Sequence, residues 1–495
     1  MTSRLDAFAL PVVAQLVAVA ALVVPARPVA AQSQLPRFER ADCLVDGDWA
    51  RDVRRECGWL VVPESRDSPS TKTVRLAVEV FRTREPSGAP PRVYLHGGPG
   101  GVGGIRLYSQ GLARSQASLH RDIVIYDQRG AGLSLPKLCP AYDTAPDAAL
   151  PAARRDCIAE LEAQGIDRRA YSTAASAADL IDLRHALGYA SWDVYGASYG
   201  ARLAQEAIAR DGSAIHSVVL ASPIARSFST QAEQPLSTQR ALEHMFAACG
   251  RQPTCHDAFP NVEQDFYAAY DSLAASPVAL PIVRADSGRD TVWFDGRRLV
   301  GNIRNLFLNR PRVGIGRLPL LLHELRAGDR LRAAREIVEE VSASVNPGDR
   351  ALRDIILCAD HATSGAAYRR TLDSVNALAR PPFRRIVDAA CEEWLPHQRD
   401  ELMPAPVRSD IPTLILTGYF DDRAPTAHAR LIAATLRRAY LVEFPDEGHD
   451  ARPAACHAAI MTQFLEDPTR QPDTSCVATI PPIPFATAWE PARGP

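Results

Sequence analysis

The stretch Trp192-Asp-Val-Tyr-Gly-Ala-Ser-Tyr-Gly200 decides the fold that we expect for this chain. It begins with a short apolar run, which is typical of a strand buried on both faces of a parallel sheet. A Gly-x-Ser-x-Gly pattern comes next and opens the helical pattern Tyr199–Arg210. Glycines on both sides of Ser198 permit a sharp turn from strand to helix, which would hold the serine hydroxyl above the edge of the sheet.

Short apolar runs on either side of this stretch predict the other strands. They are Cys57–Pro63, Val74–Phe81, Val93–Leu95, Ile123–Tyr126, Ser217–Leu220, Thr413–Leu416 and Tyr440–Phe444. Helical patterns such as Ala175–Leu187 and Thr426–Arg437 lie between the runs. Alternation of strands and helices favours a doubly wound α/β domain with a mostly parallel sheet.

One long interval interrupts this alternation. The residues from 224 to 408 show mainly helical patterns, and an interval of about 185 residues is too long for a loop. The clearest helical patterns are Thr238–Phe246, Gly316–Leu325 and Arg330–Val341. We therefore predict an α/β core made of residues 32–223 and 409–495, with 224–408 inserted as a helical cap over the carboxyl edge of the sheet, where such sheets bind ligands.

Composition and the N-terminus restrict the function classes. The chain has 495 residues, 46% of them hydrophobic, and 56 Lys and Arg against 58 Asp and Glu give a net charge of −2. Without a basic block, we expect no nucleic-acid partner. The apolar residues 8–24 and the small residues up to Ala31 indicate a signal peptide over residues 1–31, with a retained membrane anchor as the alternative. After cleavage we expect a secreted or periplasmic protein that has no membrane segment.

The ten cysteines agree with export, because an even count in an exported chain favours disulfides. The simplest connectivity joins neighbours in sequence. These pairs are Cys43–Cys57, Cys139–Cys157, Cys249–Cys255, Cys358–Cys391 and Cys456–Cys476. Cysteines at zinc-site spacing are absent from the sequence, so we predict no metal site.

A serine hydroxyl becomes a good nucleophile when an imidazole takes its proton and a carboxylate orients that imidazole. After the cap, the first predicted strand is followed by Asp421 and the second by His449. Both loops belong to the sheet edge that carries Ser198, and the order serine, acid, histidine suits this architecture. We predict Ser198 as nucleophile, His449 as base and Asp421 as the orienting acid, with Asp422 as the alternative acid.

The reaction would also need N–H donors for a developing oxyanion. The Tyr199 amide lies at a predicted helix N-terminus and is one candidate. The loop His96-Gly-Gly-Pro-Gly-Gly101 follows a predicted strand and supplies the other, with Gly98 preferred and Gly97 next.

Five motifs in this order resemble the prolyl aminopeptidase family of α/β-hydrolases. They are His96-Gly-Gly-Pro-Gly-Gly101, Asp127-Gln-Arg-Gly-Ala-Gly-Leu-Ser134, the Ser198 pentapeptide, Gly418-x-x-Asp421 and Gly448-His449. The signal peptide, the cysteine spacing and the segment Gly165–Gly200 are most similar to its secreted tripeptidyl aminopeptidase branch. The resemblance implies an α/β-hydrolase fold and a secreted serine exopeptidase without metal or cofactor. A carboxylesterase, or a lactone or amide hydrolase, with the same triad is the alternative, and a catalytically silent binding protein is a third hypothesis.

The resemblance also implies a group that binds the substrate's α-ammonium, since family members use cap carboxylates for this. The matching residue is Asp360, in Ala359-Asp-His361, where the branch more often shows a Glu-Asp pair. Ala221-Ser-Pro223 likewise stands where relatives often have an Asp-Gly pair. The expected partner is therefore a peptide, or a small amide or ester.

Overall fold

The computed structural model describes residues 35–489 except 52, 68–70, 102, 147–148, 284–288, 310, 345–347, 362–365, 385–389, 397–402 and 450–453. The predicted signal peptide, residues 1–31, lies outside the described residues. Among the residues that are described, no helix is long and apolar enough to cross a membrane.

Within these residues the chain forms eleven strands. They are β1 Arg37–Arg40, β2 Arg55–Pro63, β3 Thr73–Phe81, β4 Arg92–Leu95, β5 Ile123–Tyr126, β6 Trp192–Ala197, β7 Ile215–Ala221, β8 Val278–Val283, β9 Arg289–Phe294, β10 Thr413–Gly418 and β11 Ala439–Phe444. The strands predicted from the apolar runs are all present, whereas β1 and the pair β8 and β9 were not predicted.

The helices fall into two groups. Those of the core are α1 Gly104–Leu119, α2 Pro140–Asp143, α3 Leu150–Ala163, α4 Thr173–Ala186, α5 Tyr199–Asp211, α15 Thr426–Ala433 and α16 Ala454–Glu466. Those between β7 and β10 are α6 Thr230–Arg251, α7 Pro253–Ala258, α8 Val262–Ala275, α9 Gly296–Asn309, α10 Pro311–Ala327, α11 Arg330–Ser344, α12 Arg350–His361, α13 Ala366–Leu378 and α14 Ala390–Trp394.

Nine strands make one sheet in the order β1-β2-β3-β5-β4-β6-β7-β10-β11. The pairs at the β1 end are antiparallel, and the pairs from β5 to β11 are parallel. The mostly parallel, doubly wound sheet predicted from the sequence is therefore confirmed. Since parallel strands end at the same edge, the loops after β4, β6, β10 and β11 lie together there.

Apolar side chains cover both faces of this sheet, because alternate residues of a strand point to opposite faces. In β4, Val93 and Leu95 join the cluster that includes α4 and α5, whereas Tyr94 joins the cluster that includes α16. In β5, Val124 packs with the first cluster and Ile125 with the second. Burial on both faces explains why these strands are continuous apolar runs rather than alternating ones.

The insertion between β7 and β10 has an apolar core of its own, formed mainly by α6 to α11 and the antiparallel hairpin β8–β9. Two residues from elsewhere join that core, Phe420 after β10 and Ile483 in the C-terminal tail. The tail also bonds to the insertion, with Gln252 Nε2 donating to the Ile483 carbonyl at 2.9 Å and the Ala486 N–H donating to Gly316 at 2.9 Å. Both boundaries predicted for the cap, residues 224 and 408, lie between the end of β7 and the start of β10.

The ten cysteines form five disulfides, and each joins neighbours in sequence. The pair Cys358–Cys391 links α12 to α14, and Cys456–Cys476 links α16 to the start of the tail. Disulfides are typical of proteins that fold in oxidising compartments.

Candidate active site

The turn from β6 to α5 holds Ser198 in an unusual backbone conformation. Its φ of 55° and ψ of −117° are costly for a residue with a side chain. The turn is fixed by neighbouring backbone, since the Ser198 N–H donates to the Ala221 carbonyl at 2.8 Å. Gly200 is required by close approach, because a Cβ there would lie 2.1 Å from the Leu95 carbonyl oxygen. The sequence therefore places the serine at the carboxyl edge of the sheet through local sterics.

The loops after β10 and β11 pack directly on each other. A Cβ at Gly418 would lie 2.3 Å from the Glu447 carbonyl oxygen, so only glycine fits at the end of β10. The Phe420 N–H donates to the same Glu447 carbonyl at 3.0 Å. These contacts bring Asp421, in the first loop, beside His449, in the second.

Ser198, His449 and Asp421 form one chain of hydrogen bonds. His449 Nδ1 lies 2.8 Å from Asp421 Oδ2 and 2.9 Å from Oδ1. Since a carboxylate accepts, the ring donates from Nδ1, and Nε2 is left as the acceptor for the Ser198 hydroxyl at 2.9 Å. Asp421 and His449 are both buried. This geometry suits transfer of the serine proton to the imidazole.

The two neighbouring aspartates face different partners. Asp421 Oδ1 accepts the backbone N–H groups of Arg423 at 2.9 Å and Ala424 at 2.7 Å, which fix its orientation toward the histidine. Asp422 Oδ2 instead accepts from Thr238 Oγ1 at 3.2 Å and from Arg304 Nε at 3.1 Å, both in the insertion. The alternative acid therefore connects the core to the insertion.

The glycine loop after β4 contacts Ser198 through Gly97. A Cβ at Gly97 would lie 3.1 Å from Ser198 Cβ and 3.7 Å from its Oγ. His96 Nδ1 donates to the Gly97 carbonyl at 2.8 Å. Because C=O and N–H of one peptide point in opposite directions, the Gly98 N–H is directed away from the His96 ring. Gly98 directly follows Gly97, the residue of this loop that lies against Ser198.

Tyr199 is the first residue of α5, so its N–H has no acceptor within the helix. Its side chain is buried in the core, and its hydroxyl shares a hydrogen bond of 2.7 Å with Thr173 Oγ1. Burial raises the pKa of the Tyr199 hydroxyl well above its ordinary value. Only the amide of this residue, at the helix N-terminus, is oriented for anion binding.

Asp360, near the end of α12, is bound to the core by several groups. Its Oδ1 accepts the Thr173 N–H at 3.1 Å, its Oδ2 accepts from the Thr173 hydroxyl, and Arg202 Nε lies 3.6 Å away. Burial raises the pKa of Asp360, although Arg202 and the bonds from Thr173 act in the opposite direction. Burial likewise lowers the pKa of Arg202. The amine-binding role of Asp360 stays a prediction, and these contacts give the residue a second, structural role.

Sequence reasoning missed three arginines near this site, Arg304, Arg353 and Arg423. Arg423 lies two residues after Asp421, and this proximity in sequence is the one signal that could have found it. The other two lie in helices of the insertion, and their position depends on how α9 and α12 pack.

Comparison with known proteins bears on the fold. A family model described as alpha/beta hydrolase fold matches residues 90–257, which include the glycine loop and the Ser198 turn. Together with the order of the parallel strands, this match decides the fold. The chain has an α/β-hydrolase fold.

A second family model, described as TAP-like protein, matches residues 382–476 of this chain. A probable proline iminopeptidase of Streptomyces coelicolor is 32% identical over 211 residues, which cover 41% of this chain and 52% of that protein. The matched region thus spans about half the length of that curated relative.

Solved structures similar to this chain include two from bacteria. A proline iminopeptidase of Mycobacterium smegmatis is 17% identical, covers 83% of this chain and 98% of its own, and has a TM-score of 0.40. A proline iminopeptidase-related protein of Thermus thermophilus is 21% identical, covers 83% and 97%, and has a TM-score of 0.36.

Proposed function

We propose that the protein is a serine peptidase that cleaves peptide bonds near a free N-terminus. The observation that supports this is the hydrogen-bonded chain from Ser198 through His449 to Asp421, with distances of 2.9 Å and 2.8 Å. The 32% identity to a probable proline iminopeptidase supports a peptide rather than another acyl substrate. The match of residues 382–476 to the TAP-like model is in line with this proposal.

The proposed reaction is acyl transfer in two steps. Ser198 Oγ attacks the scissile carbonyl while His449 Nε2 takes its proton, and Asp421 stabilises the imidazolium that forms. His449 then gives the proton to the leaving amine, which departs and leaves an acyl-enzyme. A water molecule, deprotonated by the same histidine, releases the acyl group and restores the serine.

The N–H groups of Gly98 and Tyr199 are the proposed donors to the oxyanion. Tyr199 begins a helix of 13 residues, and its N-terminal end favours negative charge. The close approach of Gly97 to Ser198 supports the neighbouring Gly98 amide as the second donor. Two donors of this kind would stabilise the tetrahedral intermediate more than the substrate.

Recognition of the chain end is proposed to involve Asp360 and a substrate α-ammonium. A carboxylate in a cap can exclude internal peptide segments, because such a segment leaves the buried charge unpaired. The incoming ammonium would have to compete with Arg202, which lies 3.6 Å from Asp360. We further propose that the protein is exported, which the five disulfides support.

Product analysis on a peptide library tests this function. The library contains each peptide with a free and with an acetylated N-terminus, and mass spectrometry identifies the released fragments. We expect cleavage of the free peptides only, at one fixed distance from the N-terminus, and labelling of Ser198 by a fluorophosphonate. Equal cleavage of both sets would contradict an exopeptidase, and labelling with hydrolysis of simple esters alone would favour a carboxylesterase.

A further inference from the structure

The start of α12 lies directly on the glycine loop that follows β4. A Cβ at Gly100, where φ is 64°, would be 2.3 Å from the Asp349 carbonyl oxygen and 2.7 Å from the Arg353 backbone nitrogen. These two groups form a hydrogen bond at the start of the helix, since the Arg353 N–H donates to the Asp349 carbonyl at 3.0 Å. A Cβ at Gly348 would likewise be 2.5 Å from the Gly100 carbonyl oxygen. The insertion therefore contacts the loop backbone to backbone, which leaves no room for a side chain at Gly100.

The Asp349 side chain extends this contact to a second loop of the core, which carries the motif Asp127–Ser134. Its Oδ2 accepts the Gly132 N–H at 2.8 Å, and its Oδ1 accepts from Lys137 Nζ at 3.0 Å. Asp349 is only 9% exposed, so these bonds are largely shielded from water. A hydrogen bond to a charged acceptor is stronger than one between neutral groups. One residue of the insertion thus holds two loops of the core.

The two core loops also pack on each other. A Cβ at Gly132 would be 2.4 Å from the Gly103 Cα, so the two backbones are in direct contact. Gly103 lies three residues after Gly100, on the same loop that α12 covers. The contacts thus form a closed circuit that begins and ends at Asp349. Because close-packed backbone leaves little free space, one member of the circuit cannot shift without moving its neighbours.

The same loop carries Gly98, the proposed second donor to the oxyanion. Gly98 lies in a tight turn, since a Cβ there would be 2.9 Å from the Gly100 backbone nitrogen. The preceding residue, Gly97, lies against the proposed nucleophile, with its hypothetical Cβ 3.1 Å from the Ser198 Cβ. The loop residue that Asp349 contacts is therefore two positions from the proposed donor and three positions from the residue beside the serine.

We propose that Asp349 is a positioning residue for the reaction, which holds the glycine loop where the Gly98 N–H can bind the oxyanion. Asp349 would act through Gly100 and Gly132, without touching the substrate. Stabilisation of the transition state depends on donors that are already in place, and a displacement of about 1 Å can cost about a hundredfold in rate. This inference rests on the proposed acyl transfer and on Gly98 as a donor.

Serine substitutions at two carboxylates of the insertion test this role. Asp349→Ser shortens the side chain and removes its charge, while serine still suits the residue before a helix. Asp354→Ser is the matched control, because Asp354 Oδ2 accepts the Tyr142 hydroxyl at 2.7 Å and so joins the same helix to α2 of the core. Since each substitution removes a bond between the insertion and the core, both should lower the melting temperature.

Asp349→Ser alone should change the chemistry. We expect kcat and kcat/KM on a chromogenic aminoacyl amide to fall together by about ten- to a hundredfold, with KM within about twofold of the wild type, because the lost effect acts in the transition state. Phosphonylation of Ser198 by a fluorophosphonate should slow by a similar factor, since the phosphoryl oxygen uses the same donors. Asp349→Asn keeps an acceptor for the Gly132 N–H and should recover most of the loss.

Two results would overturn the inference. If Asp349 only attaches the insertion to the core, both serine variants will lower the melting temperature and neither will change kcat by more than about threefold. A loss for Asp349→Ser that appears in KM alone would indicate a binding role instead. If Asp349→Ser does not fold, Asp349→Glu replaces it, because it keeps the charge but moves the carboxylate by one methylene group, and the same loss of kcat is expected.

An ester substrate separates failure of this inference from failure of the peptidase function. 4-Nitrophenyl acetate reacts by the same acyl transfer but contains no peptide bond. If no peptide is cleaved, and Asp349→Ser but not Asp354→Ser slows ester hydrolysis and phosphonylation, the peptidase proposal is wrong and the role of Asp349 stands. If peptides are cleaved and the two serine variants behave alike, the role of Asp349 is wrong and the peptidase proposal stands.

Discussion

In the core, Ser198, Asp421 and His449 each follow a strand of one sheet, whereas Asp360 approaches the core from a helix inside a long insertion. His449 contacts both Asp421 and Ser198, so the three core residues form one chain of hydrogen bonds. Asp360 contacts Thr173 and Arg202, which no motif connects to it. A strand end fixes the position of the next few residues, but the partners of a cap residue depend on how separate elements pack. Proposed roles for cap residues therefore need tests that separate binding from stability.

The largest expected effect concerns the core. Ser198→Ala removes the proposed nucleophile and should lower kcat by about five to six orders of magnitude, with a melting temperature close to that of the wild type. Hydrolysis of a chromogenic aminoacyl amide and labelling by a fluorophosphonate measure this. Ser374→Ala, at an exposed position on α13, is the control. Residual labelling of Ser198→Ala at the wild-type rate would show that another residue is the nucleophile.

The neighbouring aspartates provide a sharper comparison between core and insertion. Asp421→Asn should lower kcat by about four orders of magnitude, because the amide no longer selects the productive tautomer of His449. Asp422→Asn weakens the contact with Arg304 and should mainly lower the free energy of unfolding, by about 2 kcal/mol. Steady-state kinetics with an uncharged substrate and denaturant unfolding measure the two effects. The reverse result, with the larger loss of kcat for Asp422→Asn, would make Asp422 the acid.

Removing one disulfide from the core and one from the insertion compares their contributions to the free energy of unfolding. Cys358–Cys391 closes a loop of 33 residues in the insertion, and Cys139–Cys157 closes one of 18 residues in the core. Replacing either pair by serines should lower the free energy of unfolding by about 3–4 kcal/mol, slightly more for the longer loop. Chemical denaturation of the two double variants measures this. A much larger loss for the shorter loop would contradict the loop-length explanation.

The smallest expected effect is a pH dependence that originates at Asp360. Its pKa is raised in the folded protein, so its contribution to stability is fully present below the ordinary pKa of an aspartate and is lost as the pH rises through the folded value. Asp360→Asn should remove this contribution, so the free energy of unfolding should depend less on pH in this range. Unfolding free energies of both proteins between pH 3.5 and about 7 measure it. Parallel pH profiles for the two proteins would contradict the prediction.

The sequence predicted the sheet apart from β1, because each of the other eight strands contains a short apolar run. Gly200 and Gly418 show how local sterics fix the turns after these strands, since each makes its close contacts with the backbone of an adjacent strand or loop. The hairpin β8–β9 was not predicted, because it lies among helical patterns, and β1 is a short strand at the edge of the sheet.

The positions of the candidate site residues could be predicted only for those that directly follow strands of the sheet. The sequence favoured Asp421 as the acid with Asp422 as the alternative, but the partners of Asp422 in α6 and α9 could not be inferred. Pairing between Asp360 and Arg202 joins residues that are far apart in sequence, in α12 and α5. Such contacts depend on the packing of whole helices, which a single sequence does not specify.

The C-terminal tail has a consequence for access to the site. Ile483 lies in the apolar core of the insertion, and the Arg332 guanidinium stacks 4.1 Å from the centre of the Trp489 ring. The insertion is therefore held at three places, which are its two junctions with the sheet and its contacts with the C-terminal tail. These three attachments oppose movement of the insertion as one rigid body. Opening of the insertion as one body would therefore require the tail to detach from it.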